Sequence, residues 1–185
     1  PTDIDWDTYL NQYSTGPPTP AYRGQTDDLP TLEATLTKRS SLFDHLLWQL
    51  NMTFFTDEEK NVAMIILGNL DENGYLKDPT VEEIANDAGT SLETAEDVLE
   101  MIQRFDPVGV AARSLKECLL VQADHLGISD ELVLTMIRDH LSNLEKKNYA
   151  AIVRDLKEPL EEVYEAAKVI MELDPRPGRQ YSSDE

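Results

Sequence analysis

SLFDHLLWQ, residues 41–49, and SLKECLLVQ, residues 114–122, share the pattern S-L-x-x-x-L-L-x-Q at an offset of 73 positions (114 − 41). A second pair of similar stretches follows, from Ile84 to Asp106-Pro107 and from Ile152 to Asp174-Pro175, at an offset of 68 positions (152 − 84). Self-similarity of this length indicates two copies of one supersecondary unit. The repeat therefore predicts two related bundles rather than one continuous fold.

Apolar residues recur at helical spacing in both copies, and no stretch alternates as a strand would. In the first copy, Thr56 and Thr80 precede helices and have glutamates three residues on, which is typical of capping boxes. In the second copy the pattern predicts helices over about 113–126, from a Ser129 cap through Leu144, over about 149–156, and from Pro159 through Leu173. The fold class is therefore all-α: two pseudo-repeated small helical bundles containing helix-turn-helix-like pairs, preceded by a flexible acidic segment.

Four parts are expected along the chain. Residues 1–39 are a flexible acidic leader, because Pro17, Pro18 and Pro20 and the polar composition oppose helix formation. Residues 40–108 and 112–178 are the first and second helical subdomains. Residues 179–185 follow the second subdomain and start a linker within what is expected to be a longer protein.

Charge is strongly acidic and unevenly distributed. The chain carries 16 basic and 36 acidic residues, a net charge of −20. Residues 40–112 hold 3 basic and 15 acidic residues, whereas residues 113–185 hold 10 of the 16 basic residues. Phosphate-backbone binding needs clustered lysine and arginine. The first copy therefore disfavours nucleic acid, and only residues 113–178 permit weak phosphate contacts.

Composition also limits chemistry and location. The single cysteine, Cys118, rules out an intrachain disulfide, fits a small core residue and suits a reducing cytoplasm. No apolar run is long enough to span a bilayer. Nucleotide-binding glycine loops and an H-E-x-x-H motif are absent, and His45, His125 and His140 stand alone on helices. No catalytic residue, metal site or cofactor is expected, and the chain is not predicted to be an enzyme.

Residues 82–99 have the pattern of a helix-turn-helix, with small Ala85 in the first helix, Gly89 at the turn and Ser91 as a cap. Such a motif usually reads DNA with its second helix. Here that helix presents only acidic charges before Arg104: Glu93, Glu96, Asp97 and Glu100. Because these carboxylates would face DNA phosphates, a scaffold or a protein-facing surface is the favoured interpretation.

Residues 106–113, DPVGVAAR, join the two copies. Proline and glycine fix the direction of the chain, which favours a rigid connector between the bundles. Alternatively, the segment exposes Arg113 for recognition of a partner. Residues 173–179 end the second copy in the same manner.

Four stretches together resemble, in order, the core-binding region of the bacterial sigma-54 (sigma-N) RNA polymerase factors. They are residues 41–49, LDENGYL at 70–76, FDPVGVAARSLKECLLVQ at 105–122, and LDPRPG at 173–178. The resemblance covers about residues 40–180, and the leader is similar to the variable acidic region that precedes it in the family. One departure is Ala111, where the family usually has glycine.

The resemblance implies a factor that binds core RNA polymerase, directs it to promoters and waits for an AAA+ ATPase activator. This chain would be its polymerase anchor, and residues 179–185 would start a linker to a C-terminal DNA-binding domain that is absent here. It would touch promoter DNA only through regions absent here and the activator only indirectly, with no membrane contact. The polymerase-binding candidates are the connector, the acidic helix and the end of the second copy: Asp106, Pro107, Gly109, Arg113, Glu93, Glu96, Asp97, Arg176 and Gly178. The family's acidic region is thought to thread toward the polymerase channel, where carboxylates could replace phosphates, which makes candidates of Trp6, Tyr9, Asp3, Asp5 and Asp7.

Two other functions remain open on the residues alone. One is a helix-turn-helix transcription regulator that binds DNA directly. The other is an acidic adaptor that mimics nucleic acid. The charge of the helix after Ser91 opposes the first, and binding of the polymerase channel by the leader alone would favour the second.

Overall fold

The computed structural model describes residues 41–181. The expected leader, with its candidates Trp6, Tyr9, Asp3, Asp5 and Asp7, lies outside this range. The described part is all-α, as predicted, and its only strand-like feature is an isolated antiparallel bridge between Leu70 and Leu76. Its helices are α1 (Leu42–Met52), α2 (Asp57–Gly68), α3 (Val81–Ala88), α4 (Leu92–Gln103), α5 (Leu115–His125), α6 (Glu131–Asp139), α7 (Leu141–Glu145), α8 (Tyr149–Leu156), α9 (Leu160–Met171) and a 3-10 helix (Pro177–Tyr181).

The predicted capping boxes are present at the starts of helices in the first copy. Thr56 accepts a hydrogen bond from the backbone of Glu59, whose carboxylate accepts one from the Thr56 backbone, and Thr80 and Glu83 pair in the same way. Each box satisfies two backbone donors that would otherwise have no partner at a helix start. Helix boundaries here therefore follow from local sequence.

Buried side chains form two clusters among the described residues. One joins α1 to α4 and includes Leu46, Ile66, Ile84 and Leu99, together with Val110 of the connector. The other joins α5 to α9 around Met136, Ile137, Ile152 and Val163. Both clusters lie within one compact unit that starts at Arg39. The subdomain boundaries 40–108 and 112–178 stay a prediction. None of the described helices combines the length and apolar character that crossing a bilayer would require.

Several helix limits in the second copy differ from the prediction. Asp130, not Ser129, caps α6, because its carboxylate accepts a hydrogen bond from the Leu132 amide at 2.9 Å. The helix predicted through Leu144 divides at His140, whose backbone (φ −122°, ψ 14°) leaves the helical range. Helix α9 ends at Met171 rather than at Leu173. Sequence periodicity continued across His140 and could not show this break.

The two helix-turn-helix-like pairs, α3–α4 and α8–α9, use different residues for the same backbone conformation. Gly89 follows α3 with φ 70° and ψ 31°, and Lys157 follows α8 with φ 59° and ψ 26°. Glycine adopts this left-handed conformation without steric cost, whereas a residue with a Cβ does not. The second turn is therefore strained where the first is not.

Replacing Lys157 by glycine is expected to raise the free energy of unfolding by about 0.5–1 kcal/mol, the relief of left-handed strain less the entropy glycine gains when unfolded. The matched control is Gly89→Lys, which places the same side chain in the same conformation with open space around the new Cβ. We expect it to destabilise by a similar amount. Urea denaturation would measure both, and a loss of stability in Lys157→Gly would contradict the explanation.

Candidate functional site

Helix α1 contacts the connector through the glutamine of the repeated motif. Gln49 Nε2 donates to the Asp106 carbonyl at 2.6 Å, and the Asp106 amide donates to Gln49 Oε1 at 2.9 Å. One carboxamide therefore satisfies both backbone groups of one residue; we call this the first glutamine clamp (Gln49 and Asp106). His45, one turn earlier on the helix, places Nε2 2.9 Å from Asp106 Oδ2. The expectation that His45 stands alone was wrong.

Helix α5 makes the same arrangement in the second copy. Gln122 Nε2 donates to the Asp174 carbonyl at 2.7 Å, and the Asp174 amide donates to Gln122 Oε1 at 2.8 Å. This second glutamine clamp (Gln122 and Asp174) is more buried than the first, since Gln122 is 7% exposed. Ser41 and Ser114 cap α1 and α5. Each S-L-x-x-x-L-L-x-Q motif thus starts a helix with its serine and binds an Asp-Pro with its glutamine.

Arg113 joins α4 to α5 through two carboxylates. Its Nη1 lies 2.9 Å from Glu96 Oε1, and its Nη2 lies 2.6 Å from Glu117 Oε1. The Arg113 amide also donates to Glu117 Oε2 at 2.6 Å. Charge-assisted hydrogen bonds of this kind are stronger than neutral ones. We call these three residues the Arg113 hub; it fixes the start of α5 against the acidic helix of the first copy.

Glu117 has an altered acidity within the hub. Burial alone would raise its pKa, but hydrogen bonds from the Arg113 side chain and backbone hold the pKa of Glu117 below its usual range. The same contacts, above all the hydrogen bond with Glu117, raise the pKa of Arg113. The pair therefore stays ionised near neutral pH.

A depressed pKa makes the contribution of Glu117 to stability depend on pH. The pKa of a glutamate in an unfolded chain is about 4.3. The stabilisation is therefore complete above that pH and is lost as pH falls through the lower, folded-state value. We expect the melting temperature of the wild type to exceed that of Glu117→Gln at neutral pH, with the gap closing in acid. Melting curves from about pH 7 to about pH 2.5 would measure this, with Glu131→Gln, which removes an exposed partner of Arg138, as the control. A gap independent of pH would contradict the assignment.

A groove of about 540 Å³ lies between α4 and α5, beside the Arg113 hub. Leu99, Leu120 and Val121 supply its apolar lining. Its charged lining includes both acidic and basic side chains: Glu96, Glu100, Arg104, Arg113, Lys116, Glu117 and Asp124. A mixed surface of this kind suits protein contacts better than a phosphate backbone.

At two glycines, the backbone packs so closely against a neighbouring segment that a side chain would not fit. Gly109 has φ 89°, and a Cβ there would lie 2.8 Å from Cys118 Sγ. Gly178 packs on the turn at residues 71–74: its amide donates to the Asn73 carbonyl at 2.9 Å, and a Cβ there would lie 2.6 Å from the Gly74 amide nitrogen. The end of the second copy is held further by a hydrogen bond from the Tyr75 hydroxyl to the Pro175 carbonyl at 2.6 Å. Pro175 and Gly178 therefore bind back onto the first copy.

The predicted site residues divide into three groups. Asp106, Pro107, Gly109, Arg113 and Glu96 lie around the connector, where Pro107 and Gly109 are buried and Arg113 and Glu96 bind each other. Glu93 and Asp97 are exposed on α4, away from these hydrogen bonds. At the end of the second copy, Gly178 is buried and Arg176 is exposed. The Arg176 amide donates to Asp174 Oδ1 at 2.8 Å. Their role in binding polymerase stays a prediction.

Sequence reasoning missed three structural contributors. Gln49 and Gln122 were visible as repeated letters, but the pattern gave no sign of what they bind. Glu117 is the third helical residue after the Ser114 cap and looked like an ordinary first-turn acid. The signal that could have found the clamps is that each repeat begins with the glutamine motif and ends with Asp-Pro.

Comparison with known proteins assigns the family. The family described as "Sigma-54 factor, core binding domain" matches residues 31–185. The chain is similar to the RNA polymerase sigma-54 factors of Escherichia coli (35% identity over all of this chain), Salmonella typhimurium (36%, all of this chain) and Acidithiobacillus ferridurans (33%, all of this chain). It spans 39%, 39% and 38% of the lengths of these relatives. The chain therefore belongs to the sigma-54 factor core binding domain family.

Proposed function

We propose that this chain anchors a sigma-54-type factor to core RNA polymerase during transcription initiation that depends on an activator. The observation that carries the proposal is the match of the core binding domain family to residues 31–185. In this function the chain contributes binding and no catalysis. Promoter recognition and the response to an AAA+ activator are assigned to other parts of the factor.

Surface chemistry supports a protein partner over DNA. Helix α4, the second helix of the first helix-turn-helix-like pair, exposes Glu93, Asp97 and Glu100. Its remaining outward acid, Glu96, binds Arg113 and so ties the helix to α5. A major-groove helix needs cationic or neutral residues at these positions, because the phosphates flank the groove. The direct DNA-binding function is therefore the weaker candidate.

We assign any contact with nucleic acid to the second copy, as a minor contribution beside polymerase binding. Lys146, Lys147 and Lys157 are exposed there. Lys168 already binds Glu165 at 2.6 Å, so it is a poorer candidate for phosphate.

The deciding experiment is a competition titration of the 185-residue chain against a full-length sigma-54 factor for core RNA polymerase, at two salt concentrations. Displacement of the full-length factor supports the anchor function. Failure to displace it, with the chain shown to be folded by circular dichroism, would contradict the proposal. Duplex DNA titrated in parallel tests the alternative, since direct DNA binding would weaken steeply with salt.

Reversing the exposed charges of α4 tests whether this helix belongs to the interface. We expect Glu93→Lys with Asp97→Lys to weaken polymerase binding about 10-fold, because an acidic helix would meet a basic partner surface. Glu96 is left unchanged, since its loss would break the Arg113 hub. The control is Glu161→Lys with Glu162→Lys on α9, which reverses two exposed acids in the other copy. Equal effects of the two pairs would remove α4 from the interface.

A further inference from the structure

Helix α1 ends in a set of large apolar side chains that face solvent. Trp48 is 62% exposed, Met52 is 69% exposed and Phe54 is fully exposed. Trp48 and Met52 are four residues apart and so share one face of the helix, and Phe54 follows two residues after its end. Tryptophan, phenylalanine and methionine are enriched in protein interfaces, and tryptophan is among the residues that contribute most to binding. We call these three residues the α1 apolar patch.

The loop that carries Phe54 is held in place by its neighbours. The Thr53 amide donates to the Leu50 carbonyl at 3.2 Å, and Thr53 Oγ1 donates to the Gln49 carbonyl at 2.9 Å. On the other side Phe55 is buried, with its ring 6.5 Å from that of Phe105 in an edge-on arrangement. Because the adjacent ring occupies the core, the Phe54 ring is directed away from it. Binding a partner would therefore cost little ordering of this loop.

The charges around the patch indicate the chemistry of the partner. Residues 40–59 contain no lysine or arginine. Asp44 lies one turn before Trp48 on the same face of α1. Asp57 and Glu58, both exposed, follow Phe54 closely in the chain. The patch is thus an apolar surface with an acidic rim. Its complement is an apolar pocket on a protein, rimmed by lysine or arginine.

The same charges disfavour other partners for the α1 apolar patch. A second copy would bring a net charge of −20 to a chain of the same charge. Residues 1–39 of this chain carry a net charge of −3 (3 basic and 6 acidic residues), so they repel the same rim. Nucleic acid has no apolar pocket to accept the patch and repels the acids.

We propose that the α1 apolar patch inserts into an apolar, lysine- or arginine-rimmed pocket on core RNA polymerase. This inference rests on the proposed function and names the surface through which it acts. None of the three residues is among the candidates that the sequence suggested.

The test uses the 185-residue chain with Trp48→Gln, Met52→Gln and Phe54→Ser combined. Because all three side chains are exposed, circular dichroism melting should match the wild type. We expect the dissociation constant for core polymerase to rise at least about 30-fold, the effect of losing a residue that contributes strongly to an interface. The control combines Leu126→Gln with Met171→Gln, two similarly exposed apolar residues of the second copy (64% and 67%), and should change the constant less than about 3-fold.

The outcomes separate this inference from the proposed function. If the wild type binds polymerase and both variants bind as well as it does, the patch is not the anchor and the proposed function stands. Similar weakening by both variants overturns the inference in the same way. If the wild type does not bind polymerase at all, the proposed function fails and the inference fails with it. Sedimentation equilibrium completes the test: a dimer lost only in the patch variant, with polymerase binding unchanged, would assign the patch to self-association and overturn the proposal.

Discussion

Replacing Gly109 by alanine is expected to lower the free energy of unfolding by about 2–5 kcal/mol, the sum of left-handed strain and steric overlap. The backbone at Gly109 has φ 89°, where a Cβ is unfavourable. The new Cβ would also lie 2.8 Å from Cys118 Sγ and 2.9 Å from Gln122 Nε2. Cys118 is fully buried, so it has little room to move. The substitution should therefore disturb the second glutamine clamp as well as the connector.

Gly127→Ala separates the two sources of that cost. Gly127 also has a left-handed backbone, with φ 69°, but open space surrounds the position of its Cβ. Its loss should be limited to the left-handed strain less the entropy that glycine gains when unfolded, about 0.5–1 kcal/mol. Guanidinium denaturation of both variants measures the difference. Equal losses would show that the contacts with Cys118 and Gln122 relax easily, contrary to what the packing indicates.

Replacing Gln122 by methionine is expected to cost about 2–4 kcal/mol, since two backbone groups of Asp174 lose their partners in a partly buried place. Methionine keeps the length and unbranched shape of glutamine, so steric change is small. Gln49→Met removes the equivalent bonds in the first copy, where both partners are more exposed to water. That variant should cost only about 1–2 kcal/mol, because water can replace the lost hydrogen bonds.

Denaturation of the two methionine variants and of the double variant tests whether burial sets the cost. A larger loss for Gln49→Met than for Gln122→Met would contradict this explanation. The two glutamines bind different Asp-Pro segments, so their effects should add to within about 0.5 kcal/mol. A clear departure from additivity would show that the connector transmits strain between the copies.

Local signals in the sequence determined most of the helices. Thr80 with Glu83 and the glycine at 89 mark both ends of α3, because a cap side chain and a left-handed residue act within one turn of the chain. The repeat predicted two sets of related helices, and the structure adds the hydrogen bonds that the repeated glutamines make. Where a local signal was ambiguous, as between Ser129 and Asp130, the prediction was off by one residue. The family, too, was evident from the order of four short stretches.

The tertiary structure alone decided which distant groups meet. Gln49 binds Asp106 at a separation of 57 residues, and Gln122 binds Asp174 at a separation of 52. The same holds for Arg113, which the sequence placed in a connector and the fold places between Glu96 and Glu117. It also holds for Trp48, whose apolar character gave no sign that it would remain exposed while Leu46 became fully buried. Capping and periodicity act over a few residues, whereas these contacts depend on how the helices cross, and that geometry arises only when the whole core packs.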